Sequence, residues 1–161
     1  MKTKNNYGQS VQDANKKIYT HLKRINDLIK NPLSRELGFE KLQEVDSETL
    51  NGGLCMYYYY VKGKYYSLLY RDAQDKDIEL LLRANDCFDD LVFTARENDI
   101  QIKNVKYLFT RAQTKFALSQ GVAKSELKQR FLSQAERLTT IALRTDATNS
   151  SFVWLNNQIK G

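Results

Sequence analysis

Apolar residues recur every three or four positions along most of this chain, and the breaks between these runs divide it into successive helical segments. Val11, Ala14, Ile18, Leu22, Ile25, Leu28 and Ile29 form the stripe of a first helix. Ser10-Val11-Gln12-Asp13, with Asp in the Glu/Gln place of a capping box, is its predicted start. Asn31-Pro32 is its predicted stop, because proline turns its predecessor away from helical angles. Leu33, Leu37, Phe39, Leu42 and Val45 then suggest a shorter helix interrupted by Gly38.

The central stretch from Gly52 to Tyr70 holds seven of the ten tyrosines. Leu50, Leu54, Tyr57, Tyr58, Val61, Tyr65, Leu68 and Leu69 make one broad apolar stripe on it. Cys55, Tyr59, Lys62, Tyr66 and Tyr70 make a second, amphipathic face. Asp46-Ser47-Glu48 is a plausible cap for this helix, Gly52-Gly53 a weak point or its true start, and Arg71-Asp72 its end.

Asp75-Lys76-Asp77 begins the next helix, where acidic residues meet the positive end of the helix dipole. Its core side is Ile78, Leu81, Leu82, Asn85, Phe88, Leu91, Val92 and Ala95, and Asn98-Asp99 closes it. A further helix runs from about Asn104 to Gln120, with Val105, Leu108, Phe109, Ala112, Phe116 and Leu118 inward and Gly121 as its C-terminal cap. Ser125 precedes another, with Leu127, Phe131, Ala135, Leu138, Ile141 and Ala142 inward. Phe152 to Ile159 reads as a last short helix after the turn at 146–150.

No segment shows strand alternation flanked by hairpin turns. The expected fold is therefore all-α: a single domain over 1–161, with a flexible start at 1–9 and N-terminal helices at 10–45. Two helical hairpins, 54–71 with 76–97 and 104–120 with 125–144, and a short C-terminal helix then fill 46–161. A single proline and 42% hydrophobic residues fit this expectation of a soluble, helix-rich domain. The longest apolar run, Leu54 to Val61, is far short of the roughly 20 residues of a membrane span. The basic start lacks an apolar segment after it, so no secretory leader is expected. Cys55 and Cys87 lie far apart on apolar segments and read as reduced core thiols, which places the chain in the cytoplasm.

Charge changes this picture more than composition does. Residues 1–45 carry nine Lys/Arg against five Asp/Glu, 72–102 three against nine, and 103–161 ten against three. A chain that is basic at both ends and acidic between them can neutralise itself internally, associate with itself, or attract a polyanion.

The run of Ala135, Thr139, Ala142, Leu143, Asp146, Ala147 and Asn149 resembles the second half of a tetratricopeptide repeat. Tyr59, Gly63 and Tyr66 are similar to its first half, with Gly63 in the small position and Ala112 in that position of the second pair. The resemblance covers about 54–155. It departs from the family in pairs longer than the usual unit of about 34 residues, in Ala147 where proline is expected, and in Thr139 where an aromatic is expected. It implies stacked antiparallel hairpins whose first helices line a concave side. Tyr59, Lys62, Tyr66 and Tyr70 would then sit beside Arg111 and Lys115 in a groove for a peptide or partner protein. Aromatic surface gives contact area there, and the cations favour an acidic or C-terminal carboxylate ligand. Burial of those tyrosines against the N-terminal helix is the structural alternative.

Catalytic signatures are weak. His21 is the single histidine and reads as a surface or boundary residue. No cysteine or serine has an evident base partner, and no glycine-rich phosphate loop occurs. The run beginning at Asp75 fails as a calcium loop, since Leu80 replaces the turn glycine and Asp86 the bidentate glutamate. Asp86, Asp89, Asp90 and Glu97 read as a solvated face relieved by Arg83 and Arg96. No metal or cofactor is expected. The sequence thus points to a non-catalytic adaptor for a protein or peptide, with an acidic partner favoured by the cations and no membrane partner expected. The alternative is nucleic-acid binding through Lys124, Lys128 and Arg130 on the basic C-terminal helices.

Overall fold

Short polar side chains set the helix starts. Asn51 Oδ1 accepts from the Leu54 N–H at 3.0 Å, Asp77 Oδ1 from Glu79 at 3.0 Å, Asn104 Oδ1 from Lys106 at 2.9 Å, and Asn149 Oδ1 from Phe152 at 3.3 Å. Each satisfies an amide that the first turn of a helix leaves without an internal partner. A computed structural model describes the backbone of residues 4–161 and the side chains from Ser10 onward. The helices are α1 (Lys4–Lys30), α2 (Arg35–Gln43), α3 (Gly52–Asp72), α4 (Ile78–Glu97), α5 (Val105–Gly121), α6 (Ser125–Thr145) and α7 (Ser150–Lys160). A 3-10 turn at Ser47–Thr49 precedes α3, and the described residues contain no strand. Among them, no helix is long and apolar enough to cross a membrane.

Several sequence-based boundaries move. The Ser10 box lies inside α1, which already runs from Lys4; the rest of the expected flexible start, 1–3, lies outside the described residues. Asp46 caps the 3-10 turn rather than α3, which starts at Gly52 behind Asn51. At the end of α4, Asp99 takes the left-handed conformation (φ 52°), and the Ile100 N–H reaches back to the Ala95 carbonyl at 2.8 Å.

Consecutive helices pair as hairpins: α1 with α2, α3 with α4, and α5 with α6. The first member of each hairpin also touches both helices of the preceding one, so α3 meets α1 and α2, and α5 meets α3 and α4. The second helices α2, α4 and α6 do not touch one another among the described residues. This is a stack of antiparallel hairpins that repeats one packing step. The N-terminal helices, expected as a separate element, form its opening hairpin, and α7 lies on α5 and α6 where another first helix would be.

Small residues let the paired helices approach. A Cβ on Gly63 would lie 2.5 Å from Cε1 of Phe88 on α4, and one on Gly38 would lie 3.0 Å from the Ile29 amide nitrogen of α1. Ala112, Ala135 and Ala142 are buried between α5 and α6. Leu22, Ile25, Ile29, Leu42, Val61 and Phe88 are almost fully buried in the main core, with α3 running through its middle. Arg35 is buried as well: its Nε donates to the Ile29 carbonyl at 2.9 Å and its Nη1 to Asp72 at 3.0 Å, which ties the end of α1 to the end of α3. Val11, Leu33, Leu37, Val105, Leu127 and Ile141, assigned to inward stripes from their spacing, are exposed. Helical periodicity continues past the point where a neighbouring helix ends.

Candidate functional site

Four consecutive tyrosines on one helix must point in four directions, since each residue turns the helix by about 100°. Tyr58 is buried and packs edge-on to Tyr59 at 5.4 Å. Tyr57 meets Tyr19 of α1 with ring centroids 5.5 Å apart, and Tyr60 meets Tyr107 of α5 at 4.8 Å. Tyr57 and Tyr60 themselves lie 6.2 Å apart. The result is a band of aromatic rings running across the first helices from α1 through α3 to α5.

On one side of the Tyr60–Tyr107 contact, α3 and α5 diverge and leave a cleft of about 590 Å³. Tyr60, Lys64, Ser67, Leu68 and Arg71 form its α3 wall, and Lys106, Phe109, Thr110, Gln113 and Ala117 its α5 wall. Each set recurs every three or four residues and so occupies one face of its helix. Leu81 of α4 adds to the apolar lining, and Tyr70 and Lys76 line it near the C-terminal end of α3. On the other side of the contact, Lys16, Tyr19, Asn51, Tyr57, Asn104 and Tyr107 line a more open hollow of about 490 Å³ between α1, α3 and α5.

The cleft is electrically one-sided. Lys64, Arg71, Lys76 and Lys106 line it, and no carboxylate does. Two of these cations are already engaged. Arg71 Nε lies 2.7 Å from Asp72 Oδ1, and Lys76 Nζ donates to the carbonyls of Tyr70 and Arg71 at 3.0 and 2.7 Å, closing the C-terminal end of α3. Lys64 and Lys106 have no carboxylate partner among the described residues. The Lys64 Nζ approaches the Tyr60 hydroxyl at 3.4 Å. Burial, followed by the charges of Lys30, Lys106 and Arg71, pulls its ammonium below the usual lysine range.

Of the residues expected in the groove, Tyr70 alone lines this cleft. Tyr59, Lys62 and Tyr66 sit roughly 120–180° around α3 from the Tyr60–Lys64 face. Tyr66 packs edge-on to Phe39 of α2 at 5.8 Å, with the Arg83 guanidinium 5.9 Å over its ring. Tyr59 is half-buried, with Asp90 and Ser47 nearby, and Lys62 lies near Asp90. Arg111 and Lys115 face the far side of α5, where both approach Asp89 of α4 at 3.5 and 3.3 Å. Lys115 is buried, 5.8 Å over the ring of Phe131. Burial lowers its proton affinity, and Asp89 acts against that shift. Its expected exposure is therefore corrected: Asp89 holds it in the hairpin interface. Lys124, which precedes α6, and Lys128 and Arg130 on α6 are exposed and do not line the cleft. Lys64 and Arg71 were not expected in a site, and Lys106 was expected only as part of the basic surface of the C-terminal helices. Their signal was the cationic spacing of Lys64 and Arg71 on one face, overshadowed by the more amphipathic face beside it.

Cys55 and Cys87 are free thiols. Burial raises that of Cys87 to about 12, which keeps it protonated and unreactive at neutral pH. Among the described residues no group of three His, Cys, Asp or Glu side chains could hold a metal ion, and His21 is exposed on α1. Comparison with family models, with curated proteins and with solved structures finds no match.

Proposed function

We propose that this chain is a non-catalytic interaction module that holds a peptide segment of a partner protein along its first helices. The supporting observation is the cleft between α3 and α5, where four cationic side chains and no carboxylate surround an apolar lining. Such a surface attracts acidic sequences and repels basic ones. In the adjoining tyrosine band Tyr60 is buried, and the exposed Tyr19 and half-buried Tyr57 and Tyr107 offer rigid contact area whose ordering costs little side-chain entropy. A stack that turns its first helices toward a ligand is also what the resemblance to tetratricopeptide repeats implies, with the binding face on the side of Lys64 and Arg71 rather than on Tyr59 and Tyr66.

Selection of displayed random peptides on the immobilised full chain tests the reading. Enrichment of peptides with two or more acidic residues near an apolar one, competing with one another for a single site, is the expected result. Selection without any consensus, or binding of single-stranded RNA or DNA that displaces every peptide, would contradict it. In the second case the exposed Lys124, Lys128 and Arg130 become the surface to examine.

A further inference from the structure

Some cations of this molecule are paired with carboxylates, while others, such as Lys124, Lys128 and Arg130, lie on open surface without such a pair among the described residues. Arg83 pairs with Glu79 on α4, and Arg111 and Lys115 share Asp89. The cleft differs in gathering unpaired cations in a concavity. Arg71 is paired with Asp72, which it shares with Arg35, and Lys76 is held on the carbonyls that end α3. Lys64 and Lys106 remain, on facing walls and within electrostatic reach of each other, with no anion beside either among the described residues. Lys64 is also partly withdrawn from water, so its charge is poorly solvated as well as unpaired.

We propose that Lys64 and Lys106 form a site for a phosphate monoester carried on a serine or threonine of the bound peptide. This rests on the reading of the cleft as a peptide groove and specifies what the groove recognises. Two uncompensated charges call for a ligand group of about two negative charges, and a phosphorylated side chain carries about −1.5 to −2 at neutral pH. Its three terminal oxygens can be shared between two ammonium groups, each a compact donor with three protons. A single carboxylate would leave one lysine unbalanced. Thr110 and Gln113 on the α5 wall supply neutral donors beside the cations, and Phe109 and Leu68 give the flanking residues apolar surface.

The test uses amide-resolved NMR titration of the full chain with three short capped peptides, identical except for one central residue: phosphoserine, aspartate or serine. The expected result is saturable shifts at Lys64, Ser67, Lys106, Thr110 and Gln113 with the phosphopeptide. The aspartate peptide should bind at least tenfold more weakly, and the serine peptide should cause no shift there. Lys64→Gln and Lys106→Gln should each weaken the phosphopeptide about tenfold with an unchanged melting temperature, and Lys124→Gln should not weaken it. Equal affinity for the aspartate and phosphoserine peptides would overturn the phosphate assignment while leaving the acidic groove intact. Shifts confined to Lys124, Lys128 and Arg130, or binding that survives both cleft substitutions, would place the anion elsewhere and overturn it as well. If inorganic phosphate titrates the same amides but displayed acidic peptides do not compete with it, the site stands and the peptide groove does not.

Discussion

A methyl group on Gly63 would press on the ring of Phe88, which is 2% exposed. Gly63→Ala is expected to lose about 1 kcal/mol of stability in urea denaturation, because an overpacking cost of about 1–3 kcal/mol exceeds the roughly 0.5–1 kcal/mol gained by replacing a helical glycine. Gly53 is the contrast: its nearest neighbour would be at 3.8 Å, so Gly53→Ala should be neutral or slightly stabilising. A melting temperature raised by Gly63→Ala would mean that α3 and α4 lie farther apart than described. That glycine was legible in the sequence as a small position. Its partner was not, because spacing within one helix carries no information about which residue of another helix lies opposite. Alkaline pH probes the buried phenols in the same way. Burial together with the hydrogen bond to Glu36 raises Tyr65 to about 12, and burial raises Tyr107 and Tyr58 as well. Unfolded tyrosines ionise near pH 10. Between about pH 10 and 12 the unfolded chain therefore releases protons that the folded one retains, and stability must fall over that window. Denaturation monitored together with phenolate absorbance would show unfolding preceding full ionisation; complete ionisation of a still-folded chain would refute the burial.

At the scale of elements, the helices were readable because their stripes and caps are local. Pro32 could be recognised as a stop, and the acidic run at 75–77 as a helix start, although Asp77 caps α4 from outside its first turn. The rotation of α3 was not readable. It contacts α1, α2, α4 and α5, so apolar or aromatic side chains point outward on nearly every side, and no polar face marks the solvent. Tyr and Lys side chains add to the ambiguity, since each has an apolar body and a polar end and is compatible with core or groove. The cleft face was therefore placed on Tyr59 and Tyr66 instead of Tyr60 and Lys64. This central position of α3 also predicts a hierarchy in native-state hydrogen exchange. Amides of α3 from Met56 to Leu68 should exchange only through global unfolding, whereas those of α7, which rests on α5 and α6 alone, should open at lower cost. Equal protection in both helices would contradict the described packing.

Over the whole molecule, the acidic middle and basic C-terminal part of the chain meet where α4 lies on α5, and Asp89 is the point of contact. The charge segmentation was visible in the sequence, and internal neutralisation was one of its open outcomes. What it could not show was that neutralisation is local and stops short of Lys64 and Lys106. Removing Asp89 should expose the difference between structural and free cations. Asp89→Ala leaves Lys115 buried without its carboxylate and is expected to cost about 1–2 kcal/mol, less than the 3–5 kcal/mol of a fully buried pair because Asp89 is about half exposed. Adding Lys115→Met should recover most of that loss, since it removes the stranded charge. If the double variant is as unstable as Asp89→Ala alone, Lys115 is not the residue that Asp89 holds.

The cleft between α3 and α5 as the binding face is tested most directly by reversing its two unpaired charges. Lys64→Glu with Lys106→Glu, measured by fluorescence anisotropy against an acidic peptide selected on the unaltered chain, should weaken binding by at least a hundredfold. The helical circular-dichroism spectrum should be retained and the melting temperature should not fall, because neither lysine has an ion pair to lose. Reversal of Lys124, Lys128 and Arg130 should change peptide affinity less than threefold beyond the general effect of net charge. Full peptide affinity in the Lys64→Glu/Lys106→Glu protein, or a larger loss from the Lys124, Lys128 and Arg130 reversal, would contradict the assignment.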